Sequence, residues 1–150
     1  MIAKNSFKLN FPSYSANESF ARVAVSAFVT QTDPTVEEVC DIKTAVSEAV
    51  TNCIVHGYKD TIGTVYIQVS IYGDNTVTIK IKDKGCGIPD VFKAMEPLYT
   101  TAGDERAGLG FAVMQSFMDK ITVKSVVGKG TTVVMKKKIS VKARPAGSNR

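Results

Sequence analysis

A chain of 150 residues, 44% hydrophobic and 22% charged, is sized for one globular domain whose core needs neither a disulfide nor a structural metal. Three cysteines without a C-x-x-C pair and a single histidine speak against zinc and point to a reducing, cytoplasmic setting. No apolar run approaches the roughly 20 residues that span a bilayer, and Met1 to Asn5 has no signal-peptide character. The net charge of +5 is concentrated at the end, where residues 136–150 hold six of the 19 basic residues and no acid. The 13 basic and 14 acidic residues elsewhere leave a near-neutral body. A solvated basic tail is therefore favoured over direct nucleic-acid binding.

In chain order, Lys8 to Phe11 forms a short opening strand. Asn17 is the expected N-cap of a first helix running to Thr30. Its apolar stripe is Phe20, Val23, Ala24, Ala27 and Phe28, which leaves Glu18, Arg22 and Ser26 on the exposed side. Asp33-Pro34-Thr35 breaks the chain. A second helix, with Glu37 and Glu38 in its first turn, then runs to about Val55 and stops at His56-Gly57. Val65, Ile67, Val69 and Ile71, then Val77, Ile79 and Ile81, alternate with polar residues as two strands around Gly73-Asp74-Asn75. Lys84 to Ala107 reads as irregular, and so long a segment suggests a functional lid. A third helix spans Gly110 to Met118, and a hairpin of Ile121 to Val127 and Thr131 to Lys138 closes the chain. The predicted fold class is α+β, a two-layer sandwich whose sheet is mixed but mainly antiparallel, with helices on one face. One domain is expected over 1–141, followed by a disordered basic tail at 142–150.

Three constellations carry chemistry. Glu48 and Asn52 are four apart, so a helix stacks them on one face while Val46, Ala49, Val50 and Cys53 turn to the core. The carboxylate can accept a proton from a hydroxyl, and the carboxamide oxygen can ligate Mg²⁺. An isolated pair of this kind is more often only a solvated helix face. Asp83 keeps the inward parity of Ile79 and Ile81, and its buried carboxylate needs a donor. An adenine amine would serve, with Gly85 and Gly87 letting backbone pass close to a flat base; a strand-capping Asp in a turn is the alternative. Gly108-Leu109-Gly110 opens a helix whose free N–H groups suit phosphate, and Arg106 stands where it can offset charge on a γ-phosphoryl group. No Gly-Lys-Ser/Thr follows, so this is not a Walker A loop. Thr131 shares the inward parity of Val133 and Met135, from which its hydroxyl can reach the phosphates; an ordinary hairpin threonine is the alternative. Cys86 reads as a small filler and His56 as a structural or pocket-edge residue.

Taken in order, these motifs resemble the N, G1 and G2 boxes and final threonine of the GHKL ATPases, which have the Bergerat fold. Ser47 to Asn52 with His56-Gly57-Tyr58 is similar to the anti-sigma serine kinases of that class, not to sensor histidine kinases. Asn17 to Arg22, Asp33 to Thr35, Gly87 to Asp90 and Glu96 to Thr101 extend the likeness to the anti-sigma-F family of endospore-forming bacteria, over roughly residues 8–139. The resemblance implies an ATP- and Mg²⁺-dependent serine kinase. Glu48 would be its catalytic base, Asn52 its metal ligand and Asp83 its adenine anchor. Gly85, Gly87, Thr100, Gly108, Leu109, Gly110 and Thr131 would complete the nucleotide site, with Arg106 near the γ-phosphate. The resemblance also implies a homodimer that sequesters a sporulation sigma factor through a surface including Glu18 and Arg22, and an anti-anti-sigma protein as substrate. The rival reading is a nucleotide-gated module that binds its partner and transfers no phosphate. A detached histidine-kinase catalytic domain would need a separate phosphoacceptor domain.

Overall fold

The computed structural model describes residues 2–96 and 105–140, with backbone only for 105–109. Thr100 and the tail at 142–150 lie outside the described residues. Period-2 burial builds the sheet: Val65, Ile67 and Val69 on β2 (Thr64–Ile71) and Val77, Ile79 and Ile81 on β3 (Thr76–Asp83) all face inward. With β1 (Asn5–Pro12), β4 (Lys120–Val126) and β5 (Gly130–Lys138), they form one five-stranded sheet of order β1-β2-β3-β5-β4. All four pairings are antiparallel, so the parallel pair that a mixed sheet would contain does not occur among the described residues. The chain leaves β3 through helices to the outermost strand β4. A tight turn then returns it, and β5 slots between β4 and β3 running opposite to both.

Helices α1 (Asn17–Val29), α2 (Val36–Asn52), α3 (Val91–Met95) and α4 (Glu105–Phe117) complete the domain. α2 starts where Thr35 accepts from the Glu38 N–H at 3.1 Å while Glu38 accepts from the Thr35 N–H at 2.8 Å, a reciprocal capping box. Glu38 also receives the N–H and hydroxyl of Ser140, tying the end of the last strand to this helix start. α2 ends in one π-helical turn, Cys53–Gly57, closed by the Tyr58 N–H on the Cys53 carbonyl. Such wide turns recur at functional sites because they re-aim side chains.

α1 differs from its sequence reading. Its N-cap is Ala16, and Asn17 is the first helical residue, its side chain donating to the Pro12 carbonyl. The face turned inward is Ala21, Val25, Ser26 and Val29, while Phe20 and Val23 stay 53% and 55% exposed. Ser26, expected outside, is buried with its hydroxyl on the Val23 carbonyl. Glu18, also expected outside, is half-buried and accepts from Ser47 on α2. The helix carries two apolar stripes, and small residues win the close approach to α2. α4 begins at Glu105, five residues before the predicted start.

Charge is distributed unevenly. The helix-free face of the sheet carries Lys80 and Lys82 outward from β3, Lys124 from β4 and Lys136 from β5. Glu18, Glu37, Glu38, Asp41 and Glu48 lie on α1 and α2, so the near-neutral charge of residues 1–135 conceals a basic face.

Thr35→Ala removes the capping box. Unfolding by urea should show a loss of about 1 kcal/mol. Burial acts to raise the Glu38 carboxyl, but the N–H and hydroxyl groups of Thr35 and Ser140 outweigh it and hold the group below its ordinary value. That stabilisation is present above the unfolded pKa and is lost as pH falls through the folded one. The variant keeps the residue-35 N–H and both Ser140 contacts, so the gap between wild type and variant should narrow in acid only by the Thr35 hydroxyl's share and otherwise persist.

Candidate functional site

The π turn, the end of β3, the start of β5 and α4 surround a cavity of about 460 Å³, whose walls include Asn52, Cys53, His56, Asp83, Phe111 and Thr131. Asp83 lies at its inner wall, 4% exposed, as the strand parity predicts. One carboxylate oxygen accepts from the Gly85 N–H at 2.9 Å. Burial pushes the Asp83 carboxyl up, opposed by the Gly85 N–H, the Cys53 thiol and the Thr131 N–H. The Cys53 thiol is itself pushed well up, first by burial and then by the Asp83 charge, so it remains a protonated donor to the carboxylate.

The loop after Asp83 is clamped on both sides. Cys86 N–H donates to the Gly57 carbonyl at 2.9 Å, and Gly128 N–H donates to the Cys86 carbonyl at 2.8 Å. A Cβ at Gly85 would lie 1.9 Å from the Gly57 carbonyl oxygen, and one at Gly87, where φ is +77°, would lie 2.4 Å from the Val126 carbonyl oxygen. Both glycines are thus required by backbone meeting backbone, where the sequence reading has them facing a base. Gly57 is pressed against Asp83 in the same way, since a Cβ there would lie 2.8 Å from the carboxylate.

Glu48 and Asn52 meet α4 at Gly110. A Cβ on Gly110 would stand 3.2 Å from the Asn52 carboxamide and 3.3 Å from the Glu48 carboxylate. The Asn52 amide nitrogen is buried without a hydrogen-bond partner, a costly state that a ligand can relieve. Gly108 lies in the first turn of α4, where N–H groups are free, but Gly110 lies in the second. Gly110 therefore leaves room for Asn52 and Glu48, and the free N–H groups of α4 are those of its first turn. The side chains of Arg106 and Leu109 are outside the described residues. Thr131 is also repositioned: it pairs across the sheet with Asp83, and its hydroxyl is 2.8 Å from that of Ser125. It stands at the Asp83 end of the cavity.

Sequence reading misses one part of this site: Cys53 reads only as core, although its place one residue after Asn52 is the signal for a pocket wall. Glu18 and Arg22 lie away from the cavity on α1, 3.9 Å apart, with the Arg22 side chain 44% exposed.

A profile of the histidine kinase-like ATPase domain matches residues 11–137. The anti-sigma F factor of Thermoanaerobacter sp. (strain X514) is 59% identical over 136 residues, covering 90% of this chain and 94% of that protein. This chain belongs to the anti-sigma F factors of the histidine kinase-like ATPase family. The anti-sigma F factor of Caldanaerobacter subterraneus is 58% identical over 93% of this chain and 97% of its own length, and that of Priestia megaterium 52% over 91% and 95%. Among solved structures, the RsbU and RsbW domains of a Mycobacterium tuberculosis protein share the fold at a TM-score of 0.69 and 17% identity, over 94% of this chain and 34% of that one. A domain of this ATPase family binds nucleotide, and the cavity at Asn52 and Asp83 has the volume and polar groups to take one.

Asp83→Asn should weaken ATP binding about ten- to a hundredfold by calorimetry, because the amide can turn a donor toward the base amine. In wild type, affinity should fall as pH drops through a midpoint above the ordinary 3.8, since protonation removes the acceptor. The Asp83→Asn variant should lack that dependence.

Proposed function

We propose that this chain is a cytoplasmic serine kinase that uses Mg-ATP to phosphorylate an anti-anti-sigma protein and, as a homodimer, holds a sporulation sigma factor inactive. The observation that carries the reading is the convergence of Glu48 and Asn52 on Gly110 beside a cavity whose inner wall is the buried Asp83. Asn52 and Gly57 are five residues apart on nearly continuous helix, roughly 7 Å. The metal station and the glycine that backs Asp83 are therefore held at fixed separation by one element.

The residues fit the nucleotide. Asp83 offers a buried acceptor for an adenine amine, the unpaired Asn52 amide nitrogen calls for an acceptor such as a phosphate oxygen, and the carboxamide oxygen beside it would suit Mg²⁺. Bound Mg-ATP supplies the transferable phosphoryl group. Glu48, beside Asn52, takes the proton from the attacking serine hydroxyl. Gly108, in the first turn of α4, holds phosphate by its backbone N–H with Leu109 next to it, Arg106 in the same turn offsets charge, and Thr100 completes the nucleotide set. Thr131, Gly85 and Gly87 keep Asp83 and its loop in place.

The partner surface rests on α1. Arg22 stands exposed at one edge of the outer face of α1, beside Val23 and on the far side of it from Phe20, two large apolar groups that are themselves half in water. An arginine among exposed apolar residues is the usual composition of an interface hot spot. The reading as a partner-binding module without phosphotransfer uses the same pocket but gives Glu48 no chemistry.

Two variants separate these roles. Glu48→Gln should keep ATP affinity and lose phosphorylation of the anti-anti-sigma protein by 10²- to 10⁴-fold, on the order expected for a general base. Phosphorylation at the normal rate would leave only the binding-module reading. Arg22→Ala should cost at least about 2 kcal/mol of sigma-factor binding with ATP binding intact; undiminished sigma retention would move the interface elsewhere.

A further inference from the structure

We propose that the helix-free face of the sheet binds the phosphate backbone of single-stranded nucleic acid. Side chains alternate along a strand, so Ile79 and Ile81 facing the core turn Lys80 and Lys82 outward. The strand register places Lys8, Lys124 and Lys136 on the same side. Lys84 joins them, its ammonium 5.1 Å from the ring centre of outward-facing Tyr66. No outward position on any of the five strands is an acid, and none of these lysines is ion-paired among the described residues. A groove of about 240 Å³ between Lys8, Asn10, Tyr66, Gln68, Lys80 and Lys82 runs across the face.

The chemistry favours phosphate over carboxylate. Lys80, Lys82 and Lys84 follow one line at about 7 Å intervals, two residues of extended chain. Every cation on the face is lysine, a point charge suited to phosphates in any orientation, whereas protein interfaces select arginine and are depleted in lysine. Tyr66 adds a stacking platform, so a base on its ring brings a phosphate to Lys84, the combination used by single-strand binders on sheets. This face shares no side chain with the nucleotide cavity, so the proposal stands or falls independently of the kinase reading.

The test is fluorescence anisotropy of the full chain with a labelled oligothymidylate of roughly 20 nucleotides, longer than a single site, in about 50 to 200 mM salt. The proposal expects binding that weakens with salt. It expects the slope of log K against log salt to become shallower by about 2 when Lys80, Lys82 and Lys84 are changed together to Gln, at about 0.7 per lost phosphate contact. Tyr66→Leu should weaken binding about tenfold, and Lys43→Gln on α2 should leave it unchanged. ATP affinity equal to wild type in each variant shows that the fold is intact. No binding at low salt, a slope unchanged in the triple variant, or polyglutamate of equal charge competing as well as the oligonucleotide would each overturn the proposal, the last in favour of an acidic protein surface.

Discussion

The structure depends on keeping one carboxylate, Asp83, ionisable at the inner wall of a cavity lined by core residues. Burying it opposes ionisation, and three donors answer that cost, the Gly85 N–H, the Cys53 thiol and the Thr131 N–H, while the bare Cα of Gly57 lets the chain close over its face. These come from three parts of the chain. Gly57 and Cys53 belong to the π turn, Gly85 to the clamped loop and Thr131 to the strand beside β3. The sheet register, the helix end and the loop must all be formed before the carboxylate is satisfied, and this explains why so many backbone contacts near it exclude a Cβ.

The same turn links binding to chemistry. α2 carries Glu48 and Asn52 on one side and continues into the π turn that supports Asp83, so displacing one station displaces the other. Ser47, adjacent to Glu48, donates to Glu18, which lies under Arg22 on the exposed surface of α1. A hydrogen bond thus joins the surface assigned to a partner with the helix assigned to catalysis.

Much of this is legible from residues alone. Period-2 alternation marks β2, β3 and the inward aim of Asp83, and an i, i+4 pair marks the Glu48–Asn52 face, because both signals are local. What is not legible depends on tertiary contact. α1 has apolar residues on two stripes, and only packing against α2 decides that Ala21 and Val25 go in while Phe20 and Val23 stay out. Gly108 and Gly110 read as a helix start, but α4 begins earlier and Gly110 is small for the sake of Asn52 and Glu48. A charge total cannot show that lysines without carboxylates line the helix-free face of the sheet.

The central claim is that Asp83 reads the amine of an adenine ring in this cavity. Titrating the unmodified protein with Mg-ATP and with Mg-inosine triphosphate, whose ring has a carbonyl in place of that amine, tests it without any mutation. The account predicts about ten- to a hundredfold weaker binding of the inosine nucleotide, the value of one charge-assisted hydrogen bond. Equal affinities for the two, or no binding of Mg-ATP at all, would contradict it.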